Sequence, residues 1–164
     1  MSIESIQALS MNSHFYSVLL QGFLSGYNKP CEMRLVFMAL PILLNSESRK
    51  KLASSARSNS KMETLFNKPE KLNDDTKVSG KVKLAGYLSR FNELKPFSKK
   101  ALVILYSKKK IVINEKKIIL IEPIKYLDFD GSSREWIRAA HYLGIVFAKT
   151  NEDHLNYFLG VDRE

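Results

Sequence analysis

Apolar side chains recur at three- and four-residue steps near the start of the chain, over residues 14–27. This spacing predicts a helix with one buried stripe, with Asn12 or Ser13 as its N-cap. Gly22 and Gly26 lie four residues apart on this helix, and each lowers the intrinsic helix propensity by roughly 1 kcal/mol. We therefore expect them to mark either close packing against another element or the end of the helix.

A second segment, residues 32–44, is apolar on nearly every side, which is typical of a helix buried in a core. The residues just before it, 28–30, have the composition of a turn. Pro41 should bend or end the buried helix, because proline lacks the amide hydrogen of the helical ladder. Next, Asn45 is placed to cap a short helix through Leu52, with acid near its start and base toward its end.

The middle of the chain alternates weaker helical patterns with turn residues. Residues 58–66 begin with cap residues and continue with apolar positions, which indicates a short helix. Residues 68–79 are rich in turn formers and are interpreted as a loop or a domain seam. Helical spacing returns over 82–91 and should break before Pro96, and Ser98 is placed to cap the helix that follows. The apolar side of that helix comprises Ala101, Leu102, Leu105 and Tyr106.

Two β-branched runs, 111–113 and 118–121, flank the polar residues 114–117. This pattern predicts a β-hairpin. A helix followed directly by a hairpin is the element order of a winged helix-turn-helix, and the alternative is a plain helical bundle that carries a hairpin. We expect a mainly α fold with a small β-hairpin, built as a winged-helix-like core with flanking N- and C-terminal helices.

The last third of the chain predicts a long helix after a loop at 123–131. Ser132 or Ser133 is placed to cap it, and small residues such as Gly144 permit close contact with another helix. A final short helix is expected between residues 150 and 160, ended by a glycine. The positions expected to pack inward on the long helix are Trp136, Ala139, Ala140, Leu143, Val146 and Phe147.

The chain has 164 residues, of which 45% are hydrophobic, and this is enough to bury one core. We therefore expect a single domain over 1–164. Its elements fall into three candidate lobes: N-terminal helices at 12–57, a winged-helix-like unit at 58–122 and C-terminal helices at 132–160.

The positive charge is concentrated in the middle of the chain. Residues 49–117 hold 19 Lys and Arg against six Asp and Glu, a net +13, whereas the remainder holds seven against eleven, a net −4, which together give the overall +9. A local excess of this size suits a phosphate-binding surface and equally suits a partner protein with an acidic face.

Lysines around the predicted hairpin are the candidate nucleic-acid contacts. A wing with lysines at its tip can lie along a phosphate backbone and bind without reading sequence. The alternative is that these lysines only protect edge strands from unwanted pairing. The candidates are Lys99, Lys100, Lys108, Lys109, Lys110, Lys116 and Lys117. A second, weaker basic patch comprises Arg49, Lys50, Lys51 and Arg57.

The sequence offers little material for catalysis, metal binding or cofactor binding. Cys31 is the single cysteine, so no intramolecular disulfide can form, and the three histidines lack the spacing of metal ligands. The glycines form no phosphate-binding loop. We expect no enzyme activity, catalytic residue, metal or cofactor. A small hydrolase would require folding to join Cys31 to a histidine, or Asp128 and Asp130 to one.

The cellular location is also predicted from composition. Residues 1–11 carry no Lys or Arg, so the basic start of a secretory signal is missing. The longest apolar run, 35–44, contains Pro41 and is about half the length that a membrane-spanning helix needs. We expect a cytoplasmic protein that does not enter the membrane.

Several short phrases resemble one known family. The phrase at 138–149, Arg-Ala-Ala-His-Tyr-Leu-Gly-Ile-Val-Phe-Ala-Lys, and Phe-Leu-Gly-Val at 158–161 are similar to the C-terminal signature of the middle components of three-component ABC (ABC-3C) systems. Gly26-Tyr27, the apolar run 35–44, and the Arg49 to Leu52 region agree with the front half of that family. The resemblance covers most of the chain, from about residue 12 to residue 161.

The chain also departs from the family pattern. Asn12-Ser13 stands where the family often has Asn-Pro, Val146 stands where it has Trp, and a further Trp expected after the Arg-Leu region is absent. These differences leave the subgroup open.

The resemblance implies a non-enzymatic accessory or bridging subunit. Such a subunit would work beside an SMC-like or Rad50-like ABC ATPase and an effector that carries a nuclease or other toxic domain. The setting would be bacterial antiphage or anti-plasmid defence of the Lamassu type, with DNA as a further candidate partner. The alternative function is a free-standing winged-helix DNA-binding regulator.

Overall fold

The computed structural model describes residues 3–61, 69–71, 77–79 and 87–150, and it is mainly helical with a small antiparallel sheet. The α-helices are α1 (Ile3–Tyr27), α2 (Met33–Leu43), α3 (Ser46–Ser55), α4 (Tyr87–Ser107) and α5 (Gly131–Lys149). The strands are β1 (Cys31–Glu32), β2 (Pro69–Lys71), β3 (Lys77–Ser79), β4 (Ile111–Asn114) and β5 (Lys117–Leu120). The predicted fold class is confirmed.

The predicted hairpin forms and gains a third strand. β4 and β5 pair antiparallel around a two-residue turn, Glu115–Lys116, in which Glu115 has a φ of 58°. β1, which lies between α1 and α2 in the chain, pairs antiparallel with β5, so that the strand order is β1-β5-β4. This order, with a helix leading into the hairpin, fits a winged helix. We call the β4–β5 hairpin the wing.

Two glycines allow α1 and α5 to cross at very short distance. A β-carbon on Gly26 would overlap the carbonyl oxygen of His141, and one on Gly144 would overlap the carbonyl oxygen of Phe23. Both helices therefore need glycine where their backbones touch. The first of the two meanings predicted for Gly26, close packing, is confirmed.

The core lies between these helices and the inner face of the sheet. Its buried side chains come from α1 to α5, β1, β4 and β5. Phe23 of α1 packs edge-on against Phe147 of α5, with ring centroids 5.4 Å apart. On the sheet, Ile111 and Ile118 are buried. The division of the chain into lobes stays a prediction.

The C-terminal end of α2 is held by two arginines. The last four carbonyls of a helix have no partner inside it, and in α2 all four, at residues 40–43, are satisfied. Backbone N–H groups of the next two residues bond two of them. Arg90 donates through Nε to Pro41 O at 3.0 Å, and Arg49 donates through Nη1 to Leu43 O at 3.0 Å.

The predicted helix boundaries are partly right. Asn45 caps α3, accepting a hydrogen bond from the Ser48 backbone N–H at 3.0 Å, as predicted. The predicted caps Asn12 and Ser13 are wrong, because α1 begins at Ile3 and contains both. No glycine or proline interrupts residues 3–13, so nothing in that stretch ends the helix.

The break predicted before Pro96 is also wrong, because α4 runs through it and Ser98 lies buried inside the helix rather than at a cap. Pro96 is exposed, and packing of the next apolar residues on the core offsets the lost hydrogen bond. By contrast, α2 ends at Leu43, two residues after Pro41, close to the predicted end.

Ser132 and Ser133 do not cap α5, because Asp130 occupies the N-cap position and the helix starts at Gly131. Gly131 has a φ of 58°, which turns the chain into the helix earlier than the serines. Within the stretch predicted as a loop, β2 and β3 form an antiparallel pair. The predicted helices over residues 62–66 and 151–160, and the start of the one at 82–86, lie outside the described residues.

We predict that Gly144→Ala destabilises the protein by about 3 kcal/mol or more, because the added methyl group meets backbone that cannot move aside. Gly22→Ala is the matched control. Its added methyl group would lie 3.2 Å from a side-chain methyl of Ile137, which is closer than usual but involves no backbone at that distance. The substitution also raises the helix propensity at this position. Urea unfolding followed by circular dichroism measures both, and equal midpoints for the two variants would refute the role assigned to the crossing.

Candidate functional site

The end of α4 places lysines on the surface at the base of the wing. Lys109 has a φ of 58°, its N–H donates to Tyr106 O at 3.0 Å, and the N–H of Lys110 donates to Leu105 O at 2.9 Å. These two bonds form a Schellman C-cap, in which glycine is the usual residue at the left-handed position. Lys108 and Lys109 are exposed there, and their charges lie at the negative end of the helix dipole.

The other candidate lysines follow α4 and the wing. Lys99 and Lys100 are exposed on α4, about 11 to 12 Å before its end at 1.5 Å per residue. Lys116 and Lys117 are exposed at the tip of the wing, about 14 Å from its base at 3.4 Å per residue. We call the exposed face of residues 99–117 the α4–wing surface.

Lys110 does not belong to this surface. Its Nζ forms an ion pair with the carboxylate of Glu122, and its side chain is about one-third exposed. The pair joins the two ends of the wing at its base. The other six predicted lysines are exposed, and whether any of them contacts nucleic acid stays a prediction.

Charge is distributed unevenly over the fold. Residues 92–122, which hold most of α4 and the wing, carry eight lysines against three glutamates, a net +5. Residues 3–45, with α1 and α2, carry two basic against two acidic residues, a net charge of zero. The α4–wing region therefore carries more net positive charge than the region of α1 and α2.

Exposed apolar side chains lie among the lysines of the α4–wing surface. Val103 and Tyr106, one helical turn apart on α4, are 62% and 56% exposed, and Val112 and Ile113 on β4 are each 42% exposed. The helical spacing predicted Tyr106 on the apolar side of its helix, and its exposure corrects that prediction. The surface combines charges with apolar contacts, a composition more typical of a protein interface than of a phosphate-binding groove.

The two arginines of the second basic patch, Arg49 and Arg57, make contacts within the folded chain. The guanidinium of Arg49 lies over the Trp136 ring, 3.6 Å from its centroid. Burial lowers the pKa of Arg49, while nearby Glu135 raises it. Arg57 donates to the carbonyls of Ser54 and Ala56. These two arginines therefore stabilise helix ends and the core boundary.

Cys31 lies in a poor place for a nucleophile. The thiol is completely buried in β1, and burial, with the nearby charge of Glu32, raises its pKa to about 12. A thiol with this pKa stays protonated at neutral pH, whereas the reactive form is the thiolate. The protonated Sγ donates a hydrogen bond to the carbonyl of Glu32.

The candidate acidic residues are solvent-exposed. Asp128 and Asp130 are both exposed, and Asp130 pairs with Arg134 at 3.6 Å. Within the described parts of the chain, no three His, Cys, Asp or Glu side chains come together as metal ligands would. A second pair of neighbouring carboxylates in the sequence, Asp74 and Asp75, lies outside the described residues.

One cluster of ionisable groups was not predicted. The ring of His141 on α5 lies 5.4 Å from those of Tyr126 and Tyr142, and the guanidinium of Arg138 lies 5.6 Å and 5.4 Å from the same two tyrosine rings. Within the described residues, His141 Nδ1 and Arg138 Nε are buried without a hydrogen-bond partner. Arg138, His141 and Tyr142 are three and four residues apart, so the helical repeat alone predicts that they share one face of α5. Tyr126 lies in a separate 3-10 turn, and no repeat in the sequence predicts its contact with them.

Comparison with known proteins identifies the family. The family described as "ABC-three component (ABC-3C) system Middle Component 3" matches residues 1–163. The chain belongs to this family. The resemblance predicted from the sequence is therefore confirmed at the level of the middle component, and no curated protein and no solved structure matches this middle component.

Membership implies protein partners, because a middle component works within a system of several components. Within the described parts of this middle component, no helix is both long and apolar enough to cross a bilayer.

We predict that acid destabilises this middle component through His141. Burial lowers the pKa of His141 in the folded chain, so the unfolded chain binds the proton more readily. The stability that the neutral imidazole contributes is complete above the ordinary histidine pKa of about 6.5 and is lost as the pH falls toward the lowered value. Thermal unfolding between pH 8 and pH 5 should show this loss.

His141→Gln removes the titration while keeping a polar side chain of similar length, and it should flatten the pH dependence. His14→Gln, at an exposed position of α1, serves as the control and should leave the pH dependence unchanged. The same slope in both variants would contradict the role of His141.

Proposed function

We propose that this middle component is a non-enzymatic accessory subunit that bridges an SMC- or Rad50-like ABC ATPase and an effector subunit. Family membership supports the assignment to a three-component system. The observation that carries the bridging role is the α4–wing surface, on which large apolar side chains stand exposed among lysines. Exposed apolar area of this kind marks surfaces that a partner covers.

The chemistry of the described residues supports a role without catalysis. The buried thiol of Cys31 is protonated at neutral pH, and Asp128 and Asp130 are exposed. A subunit of this kind would transmit a signal from the ATPase to an effector with a nuclease or other toxic domain, in the cytoplasm, during Lamassu-type antiphage or anti-plasmid defence.

Contact with DNA is part of the proposal. Lys108, Lys109 and Lys116 lie at the base and the tip of the wing, where a winged helix can place cations along a phosphate backbone. Val103, which is exposed on α4, has no side-chain group that could read base edges by hydrogen bonds. The expected contribution is therefore to affinity and not to sequence specificity.

The subunit role predicts a stable assembly. When the tagged chain is expressed with its genomic neighbours from their native operon, an ABC ATPase should co-purify with it through size exclusion, and native mass spectrometry should give the stoichiometry. If the chain instead emerges alone as a dimer bound to DNA, the free-standing winged-helix regulator would replace the subunit role.

The DNA contact predicts salt-dependent binding that charge reversal weakens. Lys108→Glu, Lys109→Glu and Lys116→Glu together should weaken the binding of duplex DNA at low salt at least ten-fold. The slope of log K against log salt should fall by about 3, roughly one for each phosphate that a lysine no longer neutralises. Fluorescence anisotropy with a labelled duplex measures both.

The matched control reverses Lys50, Lys125 and Lys149, which are exposed outside the α4–wing surface. This control changes the net charge by the same amount, but the slope of log K against log salt should stay close to that of the unsubstituted chain. Equal losses in the two triple variants would mean that only total charge matters, and unchanged retention in the first would exclude the wing as a DNA contact.

A further inference from the structure

The outer edge of β4 carries backbone groups without partners among the described residues. Asn114 pairs with Lys117 across the two-residue turn, and Val112 pairs with Ile119. Because directly opposed residues in an antiparallel pair alternate between bonded and non-bonded positions, these pairs direct the N–H and C=O groups of Val112 and Asn114 toward β5. The hydrogen bond from Ile121 N to Lys110 O, 2.8 Å long, continues the same alternation.

The residues between them face the other way. Ile111 and Ile113 direct their N–H and C=O groups away from β5, and no described residue bonds to these groups. Ile111 is buried, so the open donor and acceptor of this edge are those of Ile113, which is 42% exposed. β4 is the last strand of the β1-β5-β4 sheet. A strand edge with open donors and acceptors is a template for one more strand.

The side chains along this edge are suited to a strand partner. Val112 and Ile113 are each 42% exposed, on opposite faces of the sheet. An added strand would therefore find an apolar side chain on each face. Apolar contact on both faces would contribute to binding together with the backbone hydrogen bonds.

Charge indicates what kind of strand fits. Residues 108–117 hold five lysines and one glutamate, a net +4, with the lysines at the two ends of β4. If a second copy of this chain paired antiparallel about Ile113, so that the outward-facing residues opposed each other, Lys109 would lie opposite Lys117 of the other copy. Like charges in opposed positions are destabilising, so the edge disfavours its own copy and favours an acidic strand.

We propose that the free edge of β4 binds an extended acidic segment of a neighbouring subunit as a fourth strand of the sheet. The inference rests on the proposed function, because it supplies the contact by which the middle component would hold a partner. Strand addition gives affinity through main-chain hydrogen bonds, and the lysines at each end select the acidic residues of the segment. Phosphate could pair with the same lysines, but it would leave the backbone edge and Val112 unused.

Two substitutions at one position distinguish the contribution of the backbone N–H to partner binding from that of the side chain. Ile113→Pro removes an outward N–H while leaving the bonds to β5 intact, and proline is tolerated on edge strands. Ile113→Thr keeps the N–H and the β-branched shape. In the assembly purified from the native operon, the proline variant should lose at least ten-fold of the co-purified partner, and the threonine variant should retain it.

A second measurement uses the unsubstituted chain and so does not depend on the folding of a variant. Amide hydrogen exchange at Ile113 should slow at least ten-fold in the assembly relative to the isolated chain. Salt at about 0.5 M should weaken the assembly, since the Debye length then falls well below that at physiological ionic strength.

The outcomes are distinct. An intact assembly with the proline variant, or unchanged exchange at Ile113, overturns strand addition while the subunit role stands. Protection of this amide by a DNA duplex, without protection by the partner subunits, replaces the acidic segment by nucleic acid. Absence of any assembly with the wild-type chain removes the proposed function, and the inference falls with it.

Discussion

The crossing of α1 and α5 is the contact on which the other elements depend. Gly26 and Gly144 bring the two backbones so close that a β-carbon at either position would overlap a carbonyl oxygen of the other helix. This distance sets how deeply Phe23 and Phe147 interlock. It also fixes α1 as a rigid support, since a shift between packed helices would open voids that close-packed interiors do not tolerate.

The support extends from α1 to the base of the wing. Gln21 donates to the carbonyl of Glu122 at 2.8 Å, and the N–H of Ile124 donates to Ser25 Oγ at 2.9 Å. These bonds hold the segment that leaves β5, while Glu122 itself pairs with Lys110 at the start of β4. The end of β5 is therefore anchored to α1, and the start of β4 is joined to that end through the ion pair of Lys110 with Glu122.

Local signals in the sequence predicted local structure well. The Asn45 cap and the hairpin each depend on a few neighbouring residues, and both are present. The predictions failed where packing at long range outweighs local preference. Pro96 is helical because the residues after it are buried against the core, and β1 escaped notice because two residues, Cys31–Glu32, become a strand only through β5. Exposure of Tyr106 likewise follows from which side of α4 meets the core.

The arginines and the lysines of this chain make different kinds of contact. Arg49 and Arg90 bond carbonyls at the end of α2, and Arg138 lies between aromatic rings. A planar guanidinium with several donors suits such contacts, whereas the lysine ammonium is a strongly hydrated point charge that remains at the surface. The net +13 of residues 49–117 therefore overstates the charge available to a ligand. What remains is the set of exposed lysines along α4 and around an open strand edge. Because the edge supplies a donor and an acceptor that a phosphate backbone does not need, the proposed site would combine long-range attraction with a short-range contact specific for a polypeptide.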